Sequence, residues 1–220
     1  MKSPALRFAV AALLLSGSPL TVAADSYWYL GLGTGLGYAQ LYSADFNTNT
    51  PACASPSTCT ESKDEFDVGF RGFFGYQINR NWAFEVSWTS LGTFHYKVDR
   101  GGITQDFAYE VKGAGYSFLP MIPLTRNFSL YGRVGGFSSE TRLTRHNDNF
   151  VVGATSANVQ NDRYSWLTGF GAQYFFDEGS GIRLEFENFG QVGSACSANS
   201  QSCTGRANAK MLSASLIFPF

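Results

Sequence analysis

The sequence lacks an excess of charge of either sign. Seventeen Asp and Glu stand against 16 Lys and Arg, so no global field exists to attract nucleic acid. Charge of any kind is scarce, at 15% of residues against roughly 25% in an average soluble domain. Long apolar runs are missing too. None approaches the ~18 residues that an uncharged spanning helix needs, which excludes a helical membrane protein. Aromatic residues make up 16% of the chain, which excludes a disordered one, since such chains are poor in them. What is abundant is glycine, with 24 residues, and phenylalanine, with 20.

The first residues form a recognisable unit. Lys2 and Arg7 give a basic start, Phe8 to Leu15 an apolar core, and Thr21 to Ala24 a small-residue cleavage site, so residues 1–24 are predicted to be a cleaved secretory signal. A membrane anchor is the alternative, but the apolar core is too short for a span. Cleavage leaves 14 bases against 17 acids, a net charge of -3. The rest, 25–220, reads as one domain. Its four cysteines form two close pairs, Cys53 with Cys59 and Cys196 with Cys203, each among small polar residues. In a secreted chain these predict two local disulfides. A zinc site would favour shorter spacings between paired cysteines, and neither metal nor cofactor is expected.

Alternation with a period of two runs along the chain. From Trp28 to Tyr38 the even positions are Trp, Leu, Leu, Thr, Leu and Tyr, and the odd ones from Gly31 to Gly37 are all glycine. A dinucleotide-binding loop would place its glycines otherwise, before a helix. The same rhythm recurs around Phe70, Phe84, Tyr116, Val134, Phe170, Leu184 and Leu216, which gives about eight strands. In a water-soluble sandwich the face opposite the apolar one is rich in Lys, Glu and Thr. Here it is mostly Gly and Ser with isolated charges. That face suits a narrow interior, so the expected fold is all-β: an eight-stranded antiparallel up-and-down barrel spanning a membrane, with the large apolar residues toward lipid. Closure also removes the edges that lipid cannot satisfy.

The connections give the barrel an orientation. Three are short, at Gln77 to Arg80, Pro123 to Asn127 and Phe176 to Gly181, and face the periplasm. The alternate ones, about 40–64, 92–110, 138–163 and 190–208, are expected to be long outer loops, which places both cysteine pairs outside. Tyr27, Trp28, Trp82, Phe128 and Phe220 sit toward the short-turn end and Trp88 and Trp166 toward the loop end, as interfacial girdles do.

Three stretches carry a resemblance to a known family: Gly75-Tyr76-Gln77-Ile78-Asn79 running through Ala83-Phe84-Glu85-Val86 to Leu91-Gly92, then Leu130-Tyr131-Gly132-Arg133-Val134-Gly135-Gly136, and Ile182-Arg183-Leu184-Glu185-Phe186. From about Trp28 to Phe220 the chain resembles the transmembrane domain of the outer membrane protein A family. Its ending, Leu212 to Phe220, is similar to the terminal strand signal that the barrel assembly machinery recognises, with Phe218 and Phe220 as its apolar marks. The resemblance implies the outer membrane of a Gram-negative bacterium and a lumen of interlocking charges. Glu85, Arg133, Arg183 and Glu185 match the family's inward charged positions, whereas Leu119 stands where a lysine is expected on the fourth strand. The chain stops at the barrel, so the periplasmic peptidoglycan-binding domain of the family's longer members is expected to be absent and no cell-wall tether is carried over.

Chemistry beyond this is thin. A lipid-modifying barrel enzyme would need His, Ser and an acid held together, yet His95 and His146 fall in predicted loops without such partners, so no catalytic residues are assigned. Asp67, Arg71 and Glu187 join the four charges above as further inward candidates, and structural pairing is the favoured role over permeation or acid/base work. The reading is therefore a non-enzymatic, monomeric barrel that supports the envelope. Its stapled loops are expected to meet host factors, phage or neighbouring lipopolysaccharide. A small gated porin-like channel is the alternative.

Overall fold

A computed structural model describes residues 26–42, 59–100, 103–147, 159–195 and 203–220. The predicted signal, Cys53 and Cys196 lie outside them. The strands are β1 (Tyr27–Leu41), β2 (Cys59–Asp64), β3 (Phe66–Asn79), β4 (Trp82–Arg100), β5 (Ile103–Pro123), β6 (Phe128–Asn147), β7 (Val159–Phe175), β8 (Gly181–Ser194) and β9 (Gly205–Pro219). Both β2 and β3 pair with β4 and form one barrel strand broken at Glu65. Every neighbouring pair is antiparallel, and β1 joins β9, so the sheet closes as an eight-stranded barrel. No helix among the described residues is long and apolar enough to cross a membrane; the crossing is made by strands.

Alternation decides which side chains meet lipid. Along β1, Trp28, Leu30, Leu32 and Leu36 are exposed while Tyr29 is buried. Phe70 and Phe74 on β3, Trp82 to Trp88 on β4, Trp166 and Phe170 on β7 and Leu212 to Phe218 on β9 continue the same outer band. Its lower rim is aromatic, with Trp28 against Tyr76 (ring centroids 4.6 Å apart) and Trp82 stacked on Phe118 (4.9 Å). The short turns lie at this end. In one, the Asp177 carboxylate accepts hydrogen bonds from the Gly179 and Ser180 backbone N–H groups at 2.9 and 2.6 Å. These bonds, that of Gly179 foremost, hold its carboxyl below the ordinary carboxylate range.

At the other end the strands run further than the sequence suggests. Within the segment 92–110, expected to be an outer loop, β4 reaches Arg100 and β5 starts at Ile103, and the two strands pair along that length. The expected loop 138–163 is likewise strand to Asn147 and again from Val159. Parts of 40–64 and 190–208 also pair, through β2, β8 and β9. His95, expected in a loop, stands on β4 with Nδ1 3.4 Å from Asp106; His146 lies within β6.

The physical reason is a change of phase. A β-bulge shifts the β4 register between Ser90 and Gly92. Below it the odd residues Glu85, Thr89 and Leu91 are buried; above it the even residues Phe94, Tyr96 and Val98 are. Gly92 has φ of +100°, and a Cβ there would lie 2.5 Å from an Asp67 carboxylate oxygen. That oxygen accepts the Thr93 backbone N–H at 2.6 Å, which satisfies a donor displaced from the ladder. A second bulge on β8, between Asn188 and Gly190, works alike, with the Asn188 side-chain oxygen accepting the Gly190 N–H at 3.0 Å.

Candidate functional site

The chemistry-bearing residues meet inside the barrel. At the level of these charges the strands divide the labour: β3, β4, β6 and β8 send long charged side chains inward, while the facing positions of β1, β5, β7 and β9 are mostly Gly and Ser. The small faces make room. A Cβ at Gly171 on β7 would stand 2.4 Å from the hydroxyl of Tyr131, whose ring lies against the Arg183 guanidinium.

Glu85 is the hub. Its Oε1 accepts from Arg71 Nη2 at 2.7 Å and Arg133 Nη2 at 2.6 Å, and its Oε2 from Arg183 Nη1 at 2.5 Å and the Tyr29 hydroxyl at 3.2 Å. Glu185 accepts from Arg71 Nη1 at 2.7 Å and from Arg133 Nε. Glu187 lies against Arg71 and, at 3.5 Å, Arg133 Nε, but its carboxylate oxygens make no directed hydrogen bond. Neutral groups complete the set, with Arg133 donating to Ser117 Oγ at 2.5 Å and Arg183 to Gln173 at 3.0 Å. Three guanidinium and three carboxylate groups, none more than 3% exposed, thus balance in a low-dielectric space where any one left alone would be costly. The Arg183 guanidinium is also enclosed by the Phe73, Tyr131 and Tyr29 rings, at 4.6, 5.0 and 5.3 Å.

Of the four inward charges that the sequence singled out, all enter this cluster. Arg183 meets Glu85, while the ion-pair partners of Glu185 are Arg71 and Arg133. Arg71 and Glu187, weighed only as wider candidates, are equal members; Asp67 stands apart at the Gly92 bulge. The four chosen charges already sum to zero, so charge balance gave no hint of two more. Leu119 lies fully buried below the cluster with Phe73, Met121, Tyr131 and Ile217, and the third cation comes from Arg71 on β3.

The cluster is one layer of three. Beneath it lies that apolar group, and above it a larger one that includes Leu91, Phe94, Tyr96, Tyr109, Phe137, Leu167, Phe189 and Met211. Among the described residues no group of His, Cys, Asp and Glu has the arrangement of a metal site. Of the remaining sequence candidates, Cys203 is buried, with its expected partner outside the described residues. Phe218 and Phe220 face outward at the lower rim, where the Phe220 N–H bonds the Trp28 carbonyl at 2.9 Å.

Comparison with known proteins agrees with this geometry. The model of the OmpA-like transmembrane domain family matches residues 23–220. Outer membrane protein A of Yersinia pseudotuberculosis serotype I (strain IP32953) is 25% identical over 193 residues, covering 88% of this chain and 50% of the relative. That of Escherichia coli O157:H7 is 25% identical over 198 residues, covering 89% and 49%. The chain therefore spans about half the length of the curated relatives it matches. Among solved structures, neisserial surface protein A covers 90% of this chain and 100% of its own with a TM-score of 0.52 at 14% identity, a likeness of fold.

Proposed function

Since the chain belongs to the OmpA-like transmembrane domain family and lies in the outer membrane, we propose that it is a non-enzymatic structural barrel with a plugged lumen, whose outer end serves as a contact surface. The observation that carries this reading is the layered interior: among the described residues a buried Arg–Glu cluster is packed between two apolar groups, which supports a filled rather than an open lumen. Planar-bilayer recording of the refolded chain is expected to give no steady open level. A reproducible open state in the wild type would favour the gated channel instead.

The outer loops extend the reading. Pairing of Cys53 with Cys59 and of Cys196 with Cys203 would staple the first and last of them, and host factors, phage or lipopolysaccharide are the partners they would meet. A monomer is the reading adopted, supported by closure, which leaves the membrane-embedded sheet no free edge for strand pairing with a second copy.

Assembly rests on the last strand. Phe218 near the end of β9 and Phe220 just past it project outward beside the strand whose pairing with β1 closes the barrel, and serve as the mark read by the barrel assembly machinery. Deleting Phe220 is expected to lower the amount of heat-modifiable barrel in the outer membrane while secretion across the inner membrane stays unchanged. Normal amounts of inserted barrel from the shortened chain would overturn that role.

A further inference from the structure

The outer wall carries a groove that the plugged lumen does not use. It has a volume of about 290 Å³ and lies across β4 to β7, with Trp88 at one side, Ala114 and Ser138 on its floor, and Lys112, Glu140 and Asp162 at its top. Register sets this order. Ala114, Ser138 and Tyr164 stand side by side in one row, and Lys112, Glu140 and Asp162 in the next row outward. Toward the membrane the groove is bounded by the Tyr116 and Tyr164 hydroxyls, in contact over Gly136, where a Cβ would collide with the Tyr164 oxygen. Trp88, 53% exposed, and Trp166, 74% exposed, mark the upper aromatic girdle. The groove therefore sits at the level of the outer-leaflet headgroups.

We propose that this groove binds a sugar of an outer-leaflet glycolipid; the assignment rests on the outward orientation adopted under Proposed function. Trp88 offers an apolar ring face to the C–H face of a pyranose. Glu140 and Asp162, directly opposite each other on β6 and β7, accept from sugar hydroxyls, and the Lys112 ammonium donates. Like charges facing each other across a pair of strands are unfavourable, and donors placed between them relieve that. Lys112 is already 3.4 Å from Glu140 and 3.9 Å from Glu110. Within the groove two acids, Glu140 and Asp162, face the single ammonium of Lys112, while in the next row outward Glu110 stands opposite Arg142, so the groove itself suits hydroxyl donors rather than a phosphate.

The test is a titration of the full chain, refolded in micelles, with an unphosphorylated N-acetylglucosamine disaccharide, whose amide nitrogens are neutral, followed by the indole N–H resonance of Trp88. A saturable shift is expected, with affinity about tenfold weaker in Asp162→Asn and in Glu140→Gln, each of which removes a charged acceptor without touching the reporter. The assignment is overturned by an absent shift at high disaccharide, by equal affinity in wild type and both variants, or by a response confined to inorganic phosphate or to divalent cations and reversed by chelation. None of these outcomes bears on conductance, so the plugged-barrel reading stands or falls separately.

Discussion

Replacing Glu85 with Ala should lower the stability of the barrel by about 3 to 5 kcal/mol in urea unfolding from micelles. The size follows from its position. Glu85 is the one carboxylate that meets all three lumen arginines, and its loss leaves three guanidinium groups with two carboxylates inside a closed wall. The Glu85→Ala, Arg183→Ala double variant restores balance at two of each and should recover part of the loss, since neighbours in one network do not add. Arg183→Ala alone should be milder, because Glu85 keeps Arg71 and Arg133. If Glu85→Ala unfolds within about 1 kcal/mol of wild type, water reaches the cluster and the plug reading fails. Conductance of the same variants provides the matching measurement: with apolar layers above and below, single removals are expected to leave the barrel closed.

A second large effect is expected at Gly92. Valine there must adopt a positive φ and place its Cβ against the Asp67 carboxylate. The backbone alone costs about 1 to 3 kcal/mol, and displacing Asp67 frees the Thr93 N–H that it satisfies. The damage should be local. Amide exchange is expected to quicken in β4 beyond the bulge and in the facing part of β5, while the membrane band stays protected. Gly132→Ala is the control, because its φ is not positive and the nearest atom to an added Cβ is a Pro120 side-chain carbon at 3.5 Å. Equal exchange profiles for wild type and Gly92→Val would remove the bulge from the account of the upper barrel.

Much of this was legible in the sequence, because a period of two sorts residues by face whatever the strand's length. The membrane band, the short turns and the inward set at Glu85, Arg133, Arg183 and Glu185 all follow from it. The upper barrel was hidden for the same reason. Phe94, Tyr96 and Val98 alternate with His95, Lys97 and Asp99, and such a run has no preferred side until the phase of the strand is known. The phase changes at one glycine among 24, and only its φ and the nearby Asp67, 25 positions earlier, mark it. Arg71 and Glu187 were visible as inward residues, but their mutual pairing across β3 and β8 depends on how the closed cylinder brings distant strands face to face.

The stacked rows on the outer wall also act as a depth gauge. The row Ala114, Ser138, Tyr164 is followed immediately by Lys112, Glu140, Asp162. One row is two residues, or about 6.6 Å along the strand and about 5 Å along the bilayer normal at a tilt near 40°. A sinking barrel would drag three ionised groups into hydrocarbon, and a rising one would lift Trp88 and Trp166 clear of their interface. A closed wall cannot shorten itself by splaying its strands. In a bilayer of the wrong thickness it is therefore the lipid around this protein that must thin or thicken.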